Sequence, residues 1–164
     1  MDVGDRSRGL ASVKRASRIG YDDSGVHSMA AIVLIHHGLM EEAREELEKV
    51  SMDLRRPGVS HNNWGLYYYQ TGNLPKAIDA FKKAIDCQRD HPLYHKNLGL
   101  ALLESGDREE AALYLRNSLI INPNQEDLVE FMREQGLTTA HEEPQIERPL
   151  GKEIKGARPT ENRT

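Results

Sequence analysis

The sequence is poor in cysteine and aromatic side chains, and it has no long apolar run. Its 164 residues include one cysteine, one tryptophan and two phenylalanines. A single cysteine excludes a disulfide framework and a cysteine zinc site. The longest apolar run, residues 29–35, is far shorter than the roughly 20 residues of a transmembrane helix. We therefore expect no membrane insertion, no secretory leader and a cytoplasmic location.

Charge is nearly balanced overall but unevenly distributed along the chain. The 22 Lys+Arg and 26 Asp+Glu give a net charge of −4, so no nucleic-acid partner is expected. Residues 1–23 carry five bases and four acids with little to bury, which predicts a flexible basic N-terminal arm. Residues 137–164 hold five acids, five bases and three prolines, which predicts a disordered mixed-charge tail.

The middle of the chain repeats with a period of 34 residues. Gly38, Gly72 and Gly106 are spaced by this period, and five further columns share it without an insertion. Those columns are Ala31/Gly65/Gly99, Leu34/Tyr68/Leu102, Ala43/Ala77/Ala111, Leu47/Phe81/Leu115 and Val50/Ala84/Ser118. Three copies of one supersecondary unit follow from this regularity.

Each copy is predicted to be a pair of antiparallel helices joined by a short turn. The first helices are expected near 24–37, 59–71 and 92–105, and the second near 40–51, 74–87 and 108–121. The turn glycines suit a left-handed helix end, and Asn73 and Asp107 suit the cap of the next helix. The small columns let the paired backbones approach closely, and the Leu47/Phe81/Leu115 column fills the space above them.

A last helix is predicted over 125–135 because Leu128, Phe131 and Met132 lie on one helical face. We expect it to cap the last repeat, since terminal repeats need a polar outer face. The predicted organisation is then an arm, a repeat domain and a tail. These are residues 1–23, 24–136 and 137–164, with repeats 24–57, 58–91 and 92–125 and a capping helix 125–135.

This pattern resembles the tetratricopeptide repeat. The middle copy shows it in Trp64-Gly65, Tyr68, Gly72, Ala77, Phe81 and Ala84, and the last copy in Leu98-Gly99, Gly106, Ala111 and Asn122-Pro123. The first copy is the most degenerate, with Arg55 in place of the closing proline. The resemblance implies an all-α fold, a right-handed α-solenoid of three helix–turn–helix repeats with a capping helix.

No catalytic or metal-binding motif is present, so we expect no enzyme activity, no cofactor and no metal site. His27, His61 and His95 stand where the family usually has an early tryptophan. Equivalent positions of adjacent repeats lie about 8–10 Å apart, too far to share one zinc ion. We predict that these histidines pack as partly buried rings.

The resemblance also implies that the first helix of each repeat lines a concave groove that holds a partner peptide. Its centre would carry the stripes Ile32–Leu66–Leu100 and Ile35–Tyr69–Leu103, which the sequence leaves as either exposed or used in packing between repeats. The candidate groove residues are Ser28, Ile32, Ile35, His36, Asn62, Leu66, Tyr69, Gln70, Lys96, Leu100, Leu103 and Glu104.

The resulting hypothesis is a non-catalytic adaptor or scaffold that binds a peptide segment of another protein. An alternative is a small chaperone of the type III secretion kind, which holds an apolar client segment. A third is a nucleic-acid or membrane-surface role through the basic arm. A heat-shock co-chaperone is not expected, because only Asn63 matches the family positions that grip a C-terminal carboxylate. The sequence leaves the partner and the oligomeric state open.

Overall fold

The computed structural model describes residues 11, 12, 15, 24–50 and 56–137, and within these the regular structure is entirely helical. The bounds of the helices agree with the predicted spans to within two residues. They are α1 Ser24–His36, α2 Met40–Val50, α3 Pro57–Gln70, α4 Leu74–Cys87, α5 Pro92–Ser105, α6 Arg108–Ile121 and α7 Glu126–Glu134. Each first helix packs against the second helix of its own repeat, and successive repeats contact one another, which makes an all-α solenoid.

The predicted arm and tail lie outside the described residues, apart from four positions. Ala11, Ser12 and Arg15 are helical and exposed. Leu137 is buried against the last repeat, and its carbonyl accepts a hydrogen bond from Arg116 Nη2 over 3.3 Å. Leu137, at which we had placed the start of the tail, therefore packs with the repeat domain.

The glycine of each turn lets the chain reverse between the two helices of a repeat. Gly38, Gly72 and Gly106 have φ values of 74°, 76° and 95°, in the left-handed region. In all three turns the amide after the glycine donates to the carbonyl five residues earlier, over 2.8–2.9 Å. This is the Schellman arrangement, which satisfies carbonyls at the helix end and confirms the predicted role of the glycines.

The helix caps agree with the prediction at one turn and differ at another. Asn73 Oδ1 accepts a hydrogen bond from the Lys76 amide over 3.3 Å, as a cap does. Asp107 makes no side-chain cap bond to α6, so that prediction was wrong. Its carboxylate instead accepts a hydrogen bond from Ser105 Oγ over 3.0 Å, and this contact competes with capping.

The small residues bring the two helices of a repeat together, as predicted. A Cβ atom added to Gly65 would lie 2.4 Å from Cε1 of Phe81, and one added to Gly99 would lie 2.6 Å from Cγ of Leu115. Neither distance is possible for a real side chain. The glycines therefore set the helix separation, and Phe81 and Leu115 fill the space.

Helix α7 takes the place of a fourth first helix. Helix α5 begins at Pro92, and α7 begins 34 residues later, at Glu126. Leu128 and Met132 are buried like Tyr94 and Leu98, their counterparts one period earlier. Together with Ala112, Leu115 and Leu137 they form the last of three hydrophobic clusters along the solenoid. The helix therefore covers the apolar end of the third repeat.

Candidate peptide-binding surface

The three first helices are almost free of charge. Lys96 and Glu104 are the only Asp, Glu, Lys or Arg residues in α1, α3 and α5, whereas α2 alone contains seven. Because α3 contacts both α1 and α5, these helices lie side by side. We call their solvent-facing side the first-helix surface, and it presents mainly neutral side chains.

Several large apolar side chains on this surface are exposed. Met29 is 61% exposed, Ile32 38% and Leu93 45%; the other large apolar residue of this kind in the described part is Leu113 of α6, at 54%. Met29 and Ile32 also line a cavity of about 210 Å³. The further lining residues are Ser24, Gly25, Ser28, Val50, Arg56 and Val59.

The twelve predicted site residues differ in their exposure to solvent. The exposed ones are Ile32, His36, Gln70 and Glu104. Ser28, Leu66, Tyr69, Lys96, Leu100 and Leu103 are partly buried, and Ile35 and Asn62 are buried.

The two predicted apolar stripes are largely engaged in packing between helices. Ile35 belongs to the first hydrophobic cluster with Leu34 and Leu47, so it is a core residue and not part of an accessible surface. The second cluster is formed by Ala77, Phe81, Leu98, Ala101, Leu102 and Ala111. Leu66 packs against the first and second clusters, and Leu103 packs against the second and third. All stripe residues except Ile32 pack against a hydrophobic cluster, because adjacent first helices must bury their facing sides. The exposed apolar side chains are instead Ile32 and Met29 on α1 and, separately, Leu93 on α5.

A buried amide pair joins two of the first helices. Asn97 Nδ2 of α5 donates a hydrogen bond to Oδ1 of Asn62 of α3 over 2.8 Å. Asn62 is only 4% exposed, so this bond satisfies a polar group that water cannot reach fully. Sequence analysis named Asn62 but not Asn97. The two residues are 35 positions apart, and a search at the period of 34 aligns equivalent positions without identifying contacting ones.

A second pair with the same spacing lies near the other end of these helices. The hydroxyl of Tyr69 in α3 interacts with the carboxylate of Glu104 in α5. Burial of the phenol raises the pKa of Tyr69 to about 12, and hydrogen bonding and the negative charge of Glu104 add to the effect. The phenol therefore remains neutral well above physiological pH.

The histidines that replace the family tryptophan are used in packing at two of the three positions. His27 Nδ1 lies 2.6 Å from Glu46 Oε2, and both residues are buried. The ring of His95 stacks on Tyr114, and its Nε2 lies 2.7 Å from the carbonyl oxygen of Arg89. His61 is half-buried. Across residues 24–50 and 56–137, no three His, Cys, Asp or Glu side chains are grouped to hold a metal ion.

None of the helices in the described part of the chain combines the length and apolar character needed to cross a bilayer.

Comparison with protein families identifies the repeats. A model described as "TPR repeat" matches residues 65–106, and one described as "Tetratricopeptide repeat" matches residues 92–125. No curated protein matches the sequence significantly.

Solved structures share the fold at low sequence identity. The chain matches MamA at a TM-score of 0.59 and 19% identity, over 84% of this chain and 86% of that one. It matches YrrB, described as a TPR protein with an unusual peptide-binding site, at a TM-score of 0.63 and 17% identity, over 79% and 67% of the two chains. It matches PilF of Pseudomonas aeruginosa at a TM-score of 0.61 and 24% identity, over 82% and 64%.

The matching models identify tetratricopeptide repeats in residues 65–125, and the turn glycines and paired helices of the described region have the fold of that family. Proteins of this class are protein–protein interaction modules, and the fold is generally non-catalytic.

Proposed function

We propose that this protein is an adaptor or scaffold that binds a peptide segment of a partner protein on the first-helix surface. The observation that carries the proposal is that Met29, Ile32 and Leu93 are exposed. They lie on helices that contain almost no charged residues. Exposed apolar side chains grouped on one surface are typical of protein-binding sites. The other members of the proposed surface are Ser28, His36, Leu66, Tyr69, Gln70, Lys96, Leu100 and Glu104.

Members of the predicted set that pack between helices hold this surface in place. Asn62 fixes α3 to α5 through Asn97, and Leu66 and Leu103 each join two hydrophobic clusters. A surface held in this way loses little conformational freedom when a peptide binds, which lowers the entropic cost of association.

The test compares two exposed anchors with a matched residue on a second helix. Ile32→Glu and Leu93→Glu each place a charge on the first-helix surface, whereas Leu113→Glu places the same charge on α6. Full burial of one such aliphatic side chain is worth about 1.5–3 kcal/mol, so each first-helix variant should weaken partner capture by about tenfold or more. Leu113→Glu should capture the partner as the wild type does.

The measurement is affinity capture from a lysate of the source organism, with the folding of each variant checked by circular dichroism. Equal capture by the wild type and by a folded Ile32→Glu/Leu93→Glu double variant would contradict the proposal. Leu66 and Leu100 are poor test positions, because both pack against core clusters and their replacement would disturb the fold.

A small secretion chaperone is a second candidate, favoured by the cavity of about 210 Å³ that Met29, Ile32, Val50 and Val59 line with apolar atoms. A chaperone of that kind predicts a client that is insoluble when produced alone and soluble when co-produced. A partner that is soluble by itself would favour the adaptor function.

A further inference from the structure

The second helix of one repeat packs on the first helix of the next repeat. Helix α4 packs on α5, and Ala101 of α5 shares the second hydrophobic cluster with Ala77 of α4. The ring of Tyr94 in α5 lies at the last turn of α4, because a Cβ atom added to Gly58 would lie 3.3 Å both from Tyr94 Cε2 and from Cys87 Cβ. Tyr94 and Ala101 are 2% and 0% exposed. Both are therefore buried where the two helices meet.

Helix α1 carries apolar residues at the same two positions of its repeat. Val26 and Val33 lie two periods before Tyr94 and Ala101, and both are half-buried. Helix α1 is the first of the seven helices, so none of the others precedes it. At this end of the solenoid, α1 thus presents the face on which a preceding second helix would pack.

The repeat columns continue backwards into the N-terminal residues. Gly4 lies one period before the turn glycine Gly38, and three further residues match the columns of the second helices. They are Gly9 before Ala43, Val13 before Leu47 and Ala16 before Val50. Moved back by two periods, α4 falls on residues 6–19, and α6 falls on the same residues when it is moved back by three. We call residues 6–19 the N-terminal segment.

The three described residues of the N-terminal segment fit this register. They are Ala11, Ser12 and Arg15, and all three are helical and exposed. Ala11 and Arg15 belong to columns whose members in α2 and α4 are exposed too. Ser12 belongs to the column of Glu46, which contacts His27 on the first helix of its own repeat. The first helix that would face Ser12 falls before the turn glycine of this register, so the exposure of Ser12 is expected.

The connection from the N-terminal segment to α1 also has the length that the repeats require. Four residues, 88–91, separate α4 from α5, and four residues, 122–125, separate α6 from α7. A helix that ends at residue 19 leaves four residues, 20–23, before α1 begins at Ser24. The segment can therefore reach α1 in the way that α4 reaches α5.

The charges of the second helices follow the same register. Lys82 Nζ of α4 lies 3.1 Å from Glu110 Oε1 of α6, and this ion pair joins the second helices of two successive repeats. Two periods earlier, the same positions are Lys14 of the N-terminal segment and Glu42 of α2. Glu42 is half-buried, as Glu110 is. The segment has five bases and no acid, whereas α2 has five acids and two bases, so the two helices are complementary in charge.

We propose that the N-terminal segment is the second helix of a preceding half-repeat, which docks on α1, covers Val26 and Val33, and pairs Lys14 with Glu42. This helix replaces the flexible arm expected from composition and covers the first end of the solenoid, as α7 covers the last. Met29 stays accessible, because its counterpart Asn97 contacts the preceding first helix through Asn62. The inference goes beyond the proposed function and leaves the first-helix surface open.

The experiment measures amide hydrogen exchange of the full-length protein, residue by residue, by NMR. The amides of residues 10–19 should exchange at least about tenfold more slowly than those of an unstructured chain, because docking protects them. Val13→Asp should remove this protection, since it places a charge in the column that the buried Leu47 and Phe81 occupy. Ala11→Asp is the matched control, because it places the same side chain at an exposed position and should retain the protection.

A second set of variants tests the ion pair between the segment and α2. Lys14→Gln and Glu42→Gln should each reduce the protection by about two- to fivefold at low salt, as expected for an ion pair near the surface. The double variant should lose no more protection than either single variant. Arg15→Gln is the matched control, because it removes the same charge from the adjacent, exposed position and should have no such effect.

Four results would overturn the proposal, and none of them bears on peptide binding. Exchange of residues 10–19 at the rate of an unstructured chain would exclude the docked helix. Equal losses in Val13→Asp and Ala11→Asp would contradict the face that we assign to the contact with α1. Equal effects of Lys14→Gln and Arg15→Gln would assign the effect to net charge. Protection that falls on dilution, with a dimer in light scattering, would assign the docked helix to a second copy of the chain.

Discussion

Asn97 of α5 donates a hydrogen bond to Asn62 of α3 over 2.8 Å, and so connects the first helices of two successive repeats. Both side chains are amides, so the bond involves no charge and is insensitive to pH. It joins the same two helices that carry Tyr69 and Glu104. The separation between these repeats is therefore fixed by a directional contact in addition to apolar packing.

The first prediction concerns this amide pair. Asn97→Ala should lower the free energy of unfolding by about 1–3 kcal/mol, because Oδ1 of the buried Asn62 loses its partner. The double variant Asn62→Ala/Asn97→Ala should lose less than the sum of the single variants. Equilibrium unfolding in urea measures these differences. Strictly additive losses would show that the bond does not couple the two helices.

The second prediction concerns the close approach of α3 and α4. Gly65→Ala should destabilise the protein by about 1–3 kcal/mol, because the new Cβ atom would overlap the ring of Phe81. Gly72→Ala is the matched control: its Cβ would meet no atom within 4 Å, but its φ is 76°. It should cost about 1–2 kcal/mol through the backbone alone.

Replacing the ring of Phe81 separates steric overlap from backbone strain. Phe81→Leu should offset part of the loss caused by Gly65→Ala and none of the loss caused by Gly72→Ala. Thermal unfolding of each glycine variant, with and without Phe81→Leu, provides the comparison. Equal effects of Phe81→Leu on both glycine variants would contradict the steric explanation.

The third prediction concerns the capping helix. A chain that ends at residue 124 lacks Leu128, Met132 and Leu137, which are all buried against the third repeat. Each contributes about 1.5–3 kcal/mol of burial, so the melting temperature should fall by about 15 °C or more, or the protein should aggregate. A chain that ends at residue 137 keeps these contacts and is the control. An unchanged melting temperature after truncation at 124 would refute the capping role of α7.

The fourth prediction concerns the ionisation of Tyr69. Its pKa should fall from about 12 towards the ordinary 10.0 in Glu104→Gln, but remain above it, because burial is the largest cause of the shift. Since the folded pKa is raised, the associated stability is fully present below pH 10 and is lost as the pH rises towards 12. Tyr69→Phe should therefore show a flatter stability profile over this range.

Difference absorbance between the wild type and Tyr69→Phe isolates the titration of this one tyrosine. Tyr94, whose pKa is also raised by burial, is present in both proteins and provides an internal reference. A Tyr69 titration that is identical in the wild type and in Glu104→Gln would show that the two side chains do not interact.

The sequence by itself determined the repeat architecture. The period of 34 is visible in the sequence itself. The helices and the left-handed glycines are local features, because each depends on residues within one helix face or one turn. The packing of Gly65 against Phe81 also followed from the columns, since the same contact recurs at Gly99 and Leu115. Even the start of α7, one period after α5, continues the same register.

The tertiary structure alone decided which first-helix residues remain accessible. Ile35 and Ile32 have the same side chain and occupy one helix, yet the first is in the core and the second is exposed. The contacts Asn62–Asn97 and Tyr69–Glu104 join residues 35 positions apart, which the repeat period does not align. The physical reason is that burial and pairing depend on how adjacent helices are rotated and offset. That geometry is set by the packing of all the repeats together, whereas the sequence pattern of one helix specifies only its apolar face.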